Sequence, residues 1–205
     1  CRCLMICSDP EDAAGNDRMA KEFEGFFSIS GIPVLSLVMC DKRNAADLPR
    51  LLSESRIVIL AGGHVPTQNA FFRRIGLAAG MKAYDGTVMG ISAGTMNCAG
   101  TVYAQPELAG ESRDPGYERF LSGLGLTGLM ILPHYQETKD RMLDGRRLME
   151  DITYEDSAGR VFYALADGSY VLAQDGRETL YGEAWKIEDG KICKICGKEA
   201  WISLS

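Results

Sequence analysis

The chain has 205 residues, 46% of them hydrophobic, and a formal net charge of −6 with an isoelectric point near 5.0. This length predicts a single domain, over residues 1–205, with a sizeable core. The acidic balance argues against nucleic acid or an anionic membrane surface as the main partner. The sequence holds no apolar run as long as a membrane span, and its start is wrongly built for a signal peptide. We therefore expect a cytoplasmic protein, and whether native residues precede Cys1 stays open.

The first two-thirds of the chain predict strands that alternate with helices, as in a parallel sheet covered on both faces. Short apolar runs predict the strands Cys3–Ser8, Val34–Met39, Ile57–Leu60, Thr87–Met89 and Leu129–Pro133. Apolar residues at helical spacing predict the helices Asp17–Ser28, Ala45–Ser53, Gln68–Ala79 and Lys139–Ile152. The segment Ala104–Tyr117 is rich in proline, glycine and acidic residues, so we expect an exposed excursion near the active edge of the sheet.

From Val161 onward the apolar pattern changes to a period of two, which is typical of antiparallel strands. Asp175-Gly176 and Asp189-Gly190 lie between the alternating runs and are hairpin signals. We therefore predict an α/β fold with a mainly parallel central sheet and a C-terminal antiparallel meander that finishes the sheet edge.

The segment Gly90-Ile91-Ser92-Ala93-Gly94 has the form G-x-S-x-G and follows a predicted strand. A strand that ends in this pattern turns sharply into a helix and lifts the serine hydroxyl above the sheet. The turn also places the backbone N–H of Ala93 beside the hydroxyl, where it can stabilise an oxyanion. The motif predicts a nucleophile at Ser92, and the alternative is a glycine-rich turn that carries an incidental serine.

A serine nucleophile needs a base, most often histidine, and the chain has 2 histidines, His64 and His134. His134 follows the predicted strand Leu129–Pro133, at the edge where open α/β sheets place their ligand sites. Ser92 occupies the same edge. We therefore predict that Ser92 Oγ lies close to a ring nitrogen of His134, and the alternative for His134 is a structural role at a strand end.

The 7 cysteines are odd in number and scattered. Cys7, Cys40 and Cys98 fall in or beside predicted core elements, so we expect small buried hydrophobes there. Cys193 and Cys196 form a C-x-x-C, but no second pair completes a zinc site. We predict that both are strand residues and that the protein uses neither a metal nor another cofactor.

Three motifs, Gly62-Gly63, Gly90–Gly94 and Pro133-His134-Tyr135, resemble in order and spacing those of the aspartyl dipeptidase (peptidase E) and cyanophycinase family of serine peptidases. The resemblance implies a three-layer α/β sandwich of the flavodoxin-like kind, similar to class I glutamine amidotransferase domains. Those domains have a cysteine where this chain has Ser92. The resemblance also implies a catalytic triad in which Ser92 is the nucleophile and His134 the base.

Two carboxylates are candidates for the third member of that triad. Asp167 matches an acidic residue that the family has in a late segment between two strands, and Glu107 lies where a different acid has been proposed in the family. The orienting carboxylate should be held rigidly and partly buried. A strand end meets that requirement better than a polar loop, so we predict Asp167, with Glu107 as the alternative. The non-catalytic interpretation of Asp167 is a turn aspartate before Gly168.

The same resemblance assigns the second oxyanion N–H to Gly63 in the Gly62-Gly63 turn. Relatives commonly have asparagine at the next position, where this chain has His64. We expect this departure to change contacts with the substrate, unless His64 is a solvent-facing loop residue.

In the dipeptidases of the family, a basic residue after the catalytic histidine recognises acidic substrates. Arg141, Arg146 and Arg147 lie on the predicted helix that follows His134, and they are the candidates for this role. The alternative for all three is an exposed helix face.

These features predict a serine peptidase that hydrolyses small peptides, with an acidic residue at the cleaved bond as the expected preference. A small peptide is the expected partner, without nucleic acid or membrane, and a homodimer stays open. One alternative is a non-catalytic or regulatory ligand-binding member of the same fold. A second is an α/β-hydrolase-type esterase, which usually has its histidine late in the chain, whereas no histidine follows residue 134 here.

Overall fold

The computed structural model describes residues 1–204, which form two compact units. The first unit comprises Cys1–Cys98 with Gly123–Gly125, and the second comprises Ala99–Ser122 with the chain from Leu126 onward. Within residues 1–204, no helix combines the length and the apolar character that crossing a membrane requires. That a single domain spans residues 1–205 stays a prediction.

A four-stranded parallel sheet organises the first unit. Its strands are β1 (Arg2–Ile6), β2 (Ser36–Cys40), β3 (Ile57–Leu60) and β4 (Thr87–Gly90). They lie in the order β2-β1-β3-β4, so β1 and β3 are central. Leu4, Met5 and Ile59 on these central strands have no exposed surface. Burial on both faces explains why β1 and β3 are continuous apolar runs, and the four predicted strands are confirmed to within two residues at each end.

Five helices flank this sheet: α1 (Ala13–Ile29), α2 (Leu48–Glu54), α3 (Val65–Arg74), α4 (Leu77–Lys82) and α5 (Ala93–Asn97). The carboxylate of Asp12 caps α1 by accepting from the Gly15 N–H at 2.9 Å. The helix predicted over Ala45–Ser53 begins as a 3₁₀ turn before α2. The single helix predicted over Gln68–Ala79 is wrong. Pro66 starts α3 earlier, and Gly76, with φ of 67°, separates α3 from α4.

The second unit is built mainly of strands: β5 (Thr101–Tyr103), β6 (Phe120–Ser122), β7 (Met130–Leu132), β8 (Met142–Leu143), β9 (Arg146–Arg147), β10 (Val161–Leu165), β11 (Tyr170–Gln174), β12 (Arg177–Tyr181), β13 (Ala184–Glu188), β14 (Lys191–Cys196) and β15 (Trp201–Ser203). One sheet has the order β14-β13-β10-β7, with β7 and β10 parallel, and another has the antiparallel order β11-β12-β15. Antiparallel strands at the C-terminus are thus confirmed, but they divide between two sheets. The chain passes between the two sheets three times, and Gly182, with φ of 93°, lies at the passage from β12 to β13.

The helix predicted over Lys139–Ile152 is wrong. The structure has a short helix α6 (Tyr135–Thr138), the β8–β9 hairpin, a π-helical turn and the short helix α7 (Tyr154–Asp156). Asp144 and Gly145 have φ of 53° and 81°, as the central residues of a type I′ hairpin turn require. The apolar residues that suggested a helix form a small buried cluster instead: Leu143, Leu148 and Ile152.

The excursion predicted over Ala104–Tyr117 is irregular, but it is not wholly exposed. Pro106 and Ser112 are buried within it. The carboxylate of Asp144 accepts hydrogen bonds from the Ser112 hydroxyl at 2.7 Å and from the Gly110 N–H at 2.8 Å. The β8–β9 hairpin therefore holds this segment in place, since polar backbone groups removed from water need such partners.

Candidate active site

Ser92 lies in a strained turn between β4 and α5. Its φ of 51° and ψ of −114° fall outside the regions that L-residues favour. A Cβ at Gly90 would lie 2.7 Å from the backbone of Thr95, and a Cβ at Gly94 would overlap the carbonyl oxygen of Leu60. Only glycine fits at both positions, which explains the G-x-S-x-G spacing. The backbone at Ser92 has the geometry that a nucleophile elbow requires.

Two of the predicted site residues have an unusual backbone conformation with positive φ. Within residues 1–204, five non-glycine residues have positive φ, and three of them (Asp144, Asp175 and Asp189) begin Asp-Gly turns. The other two are Ser92, at 51°, and His134, at 58°. Such strain costs roughly 1–3 kcal/mol at each residue and persists only where the surrounding structure enforces it. An Asp-Gly turn explains the positive φ at the three aspartates but not at Ser92 or His134. The strained backbone therefore marks the predicted nucleophile and the predicted base.

The Gly62-Gly63 turn lies against Ser92 in the first unit. Leu60 on β3 pairs with Gly90 on β4. Gly62 and Ser92 each lie two residues after these paired positions. A Cβ at Gly62 would lie 3.3 Å from Ser92 Cβ and 3.9 Å from Ser92 Oγ. The pairing of β3 with β4 thus brings the predicted oxyanion turn beside the predicted nucleophile.

The ends of two helices add to the electrostatics of this edge. Both α3 and α5 begin where a parallel strand ends, so their positive N-terminal ends lie at the same edge of the sheet. Ala93 is the first residue of α5, and its N–H therefore has no acceptor within the helix. His64 precedes α3, and a hydrogen bond of 2.7 Å joins its Nδ1 to the Thr67 hydroxyl. This edge is suited to stabilise a negative charge.

Two cysteine thiols of the first unit are poor nucleophiles. Burial raises the pKa of Cys98, just after α5, to about 12. Burial, with a further contribution from the Asp41 charge, also raises the pKa of Cys7 to about 12. Because the thiolate is the reactive form, the raised pKa makes both thiols weaker nucleophiles at neutral pH. Cys7 and Cys40 are buried as predicted, whereas Cys98 is half-buried.

Cys193 and Cys196 both lie on β14, as predicted. Cys193 is exposed and Cys196 is buried, and both are free thiols. Within residues 1–204, no group of three or more His, Cys, Asp or Glu side chains is arranged to hold a metal ion.

His134 pairs with Asp167 in the second unit, with 2.6 Å between His134 Nδ1 and Asp167 Oδ1. The sheet explains the pairing. Because β7 and β10 are parallel neighbours with Leu132 opposite Ala164, the residues that follow them emerge at the same end. A carboxylate accepts hydrogen bonds, so Nδ1 is the donor in this contact, and in the neutral imidazole Nε2 then carries the lone pair. That tautomer is the one a general base requires.

The expectation that the orienting carboxylate is partly buried is not met by Asp167, which is an exposed residue. Its side chain is 54% exposed and that of His134 is 42% exposed. The backbone supplies the anchor instead, since the Asp167 N–H donates to Gln136 Oε1 at 3.0 Å. Gln136 lies on α6, two residues after His134. The sequence offers no signal for Gln136, because a polar residue on a short surface helix has no distinctive pattern.

Glu107, the alternative acid, is half-buried in its loop. Its N–H donates to Glu111 Oε2 at 2.8 Å, and its carbonyl accepts from Arg141 Nη2 at 2.6 Å. These contacts use the backbone of Glu107, whereas the carboxylate on His134 Nδ1 is that of Asp167. Asp167 as the acid of the triad stays a prediction that this geometry supports.

The predicted helix face with three arginines does not exist. Arg146 and Arg147 lie on β9, where Arg146 pairs with Glu155 at 3.2 Å and Arg147 pairs with Asp151 at 2.6 Å. The hydrogen bonds from Arg147 lower the pKa of Asp151 to about 2. Arg141 instead donates to a neutral carbonyl, which leaves its charge uncompensated by that contact.

A parallel sheet with a strained serine at a strand-to-helix turn defines an α/β fold of the kind that peptidases and esterases share. The model of peptidase family S51 matches residues 12–181. The chain therefore belongs to peptidase family S51, which confirms the resemblance to peptidase E.

The chain is also similar to a crystal structure of a candidate peptidase E protein from Listeria monocytogenes EGD-e. The TM-score is 0.53 and the identity 14%, over 95% of this chain and 85% of that one. At this identity the similarity concerns the fold, and it agrees with the predicted α/β class. No match was found among the curated proteins.

Proposed function

We propose that the protein is a serine peptidase of small peptides, with Ser92 as the nucleophile, His134 as the base and Asp167 as the orienting acid. The observation that carries the proposal is the strained backbone at Ser92, with φ of 51° in a turn that only glycines can flank. The His134–Asp167 hydrogen bond supports it, because that bond selects the tautomer of a general base. Membership of a peptidase family supports the reaction class.

In the proposed reaction, His134 Nε2 accepts the Ser92 hydroxyl proton while Oγ attacks the scissile carbonyl carbon. The N–H groups of Gly63 and Ala93 donate to the oxyanion that forms. The imidazolium, stabilised by Asp167, then protonates the leaving amine, and an ester remains on Ser92. His134 next deprotonates a water molecule, which attacks the ester and releases the acid product with the Ser92 hydroxyl restored.

Active-serine labelling tests the proposal. A fluorophosphonate should label the wild-type protein at Ser92, as located by mass spectrometry of the modified peptide. Ser92→Ala should not react, and His134→Ala should react slower by a factor of about 10² or more, because proton transfer would lack its base. Ser53→Ala is the matched control, since the Ser53 hydroxyl bonds to the Arg50 carbonyl on α2. A wild-type protein that stays unlabelled would favour the non-catalytic alternative.

We further propose that Arg141 favours substrates with an acidic residue at the cleaved bond. Arg141→Gln keeps a polar side chain with N–H donors but removes the charge. A charged hydrogen bond contributes about 1.5–3 kcal/mol, so KM for an acidic dipeptide should rise roughly tenfold or more, with little change for a neutral dipeptide. Arg146→Gln is the control, because Glu155 already pairs with Arg146. An equal rise in KM for both dipeptides would contradict a role in recognising acidity.

A further inference from the structure

A network of three buried amide side chains joins α5 to the connection between β3 and α3. Asn97 and Gln68 have no exposed surface, and Asn69 is 3% exposed. Asn97 Nδ2 donates to Gln68 Oε1 at 3.0 Å and to the Val65 carbonyl at 3.3 Å. Asn97 Oδ1 accepts from Asn69 Nδ2 at 2.9 Å. Asn97 therefore holds the first five residues of α3 through three hydrogen bonds.

Gln68 extends this network to the glycine turn. Its Nε2 donates to the Ala61 carbonyl at 2.6 Å, and Ala61 directly precedes Gly62. Asn97 is the last residue of α5, and Ser92 is the N-cap of the same helix. Two consecutive hydrogen bonds thus connect the helix of Ser92 to the residue before the Gly62-Gly63 turn.

Burying an amide side chain in a core lowers the stability of the fold unless its polar atoms find hydrogen-bond partners. A buried polar group without a partner costs roughly 1–3 kcal/mol, whereas a satisfied network in a low dielectric is rigid and specific. The helix α5 has only 5 residues, and so short a helix does not hold its own position. The need for precision is high, because oxyanion donors must lie within about 2.7–3.1 Å of the oxygen that they stabilise.

We propose that Asn97 and Gln68 are positioning residues that set the separation between Ser92 and the N–H of Gly63. The proposal rests on the proposed serine-peptidase function. Because neither side chain has exposed surface, each acts through the backbone that it holds. Their loss should lower kcat and slow the labelling of Ser92, while KM stays nearly constant, because binding does not depend on the oxyanion contacts.

The test compares Asn97→Leu and Gln68→Met, which keep side-chain size and remove the hydrogen bonds. Each should lower kcat and the fluorophosphonate labelling rate by roughly 10- to 100-fold, since a displacement of about 1 Å can cost 10² in rate. KM should change less than about twofold. Gln68→Met provides the measurement if Asn97→Leu does not fold, and all rates are taken well below the Tm of each variant.

Asn16→Leu is the matched control. Asn16 is another buried amide of the first unit, on α1, where its Nδ2 donates to the Asp9 carbonyl at 2.9 Å. It should lower Tm and leave kcat unchanged. Folded Asn97→Leu or Gln68→Met with wild-type kcat and labelling rate would overturn the positioning role. An unlabelled wild type or an active Ser92→Ala would instead overturn the serine-peptidase function, so the two failures are distinguishable.

Discussion

Replacement of Ser92 by alanine is expected to abolish peptide hydrolysis. If the site behaves like other serine triads, kcat should fall by a factor on the order of 10⁶, because no oxygen remains to form the ester. Alanine keeps the Cβ that packs near Gly62, and a φ of 51° strains the backbone of alanine as much as that of serine. The turn should therefore keep its conformation in the variant. The measurement is the release of free amino acid from an acidic dipeptide by the wild type and the variant.

The thermal unfolding curve of Ser92→Ala should match that of the wild type, which separates lost chemistry from lost folding. Ser53→Ala, at an exposed position on α2, should retain full activity. A Ser92→Ala protein that keeps a tenth of wild-type activity or more would remove Ser92 from the mechanism.

Replacement of Asp167 by asparagine is expected to lower kcat by roughly 10⁴. Asparagine keeps the shape, but its amide can donate to His134 Nδ1 and so favour the tautomer that cannot accept a proton at Nε2. Glu107→Gln should cost little, because the contacts described for Glu107 use its backbone. Both variants should be measured against the same acidic dipeptide.

The two carboxylates make this comparison decisive. Asp167→Asn should keep the wild-type Tm, because its side chain is 54% exposed and an exposed contact contributes little to stability. A large loss of activity in Glu107→Gln, with near-normal activity in Asp167→Asn, would make Glu107 the acid of the triad.

Local pattern determined most of the parallel sheet and two of the C-terminal turns. The apolar run Ile57–Leu60 is confirmed at both ends, because a strand buried on both faces needs no partner information to be recognised. The Asp175-Gly176 and Asp189-Gly190 hairpins are confirmed for a similar reason, since positive φ at both central residues is a local requirement.

The same local signal was present at Asp144-Gly145, inside the segment predicted as a helix. Apolar residues on both sides of it fit a helical spacing, so periodicity alone could not separate a helix from a hairpin. The structure resolves the conflict through packing. Leu143 and Leu148 bury their side chains together only when the chain turns back at Asp144.

The candidate site also has one part that local sequence predicts and one part that depends on strand pairing. The Ser92 turn could be predicted, because the glycines that it needs are neighbours of Ser92 in the chain. The hydrogen bond between His134 and Asp167 joins residues 33 positions apart and depends on the register of β7 against β10. The sequence suggested that pair through family resemblance, but strand pairing decides the contact.

The burial of polar side chains was decided by the tertiary structure alone. Gln68 and Asn97 have the sequence pattern of ordinary surface residues, and yet both lie without exposed surface between α3 and α5. Conversely, Asp167 follows a buried strand and is exposed. The composition of a segment determines which strands and turns can form, whereas the burial of an amide or a carboxylate depends on which distant elements pack against it.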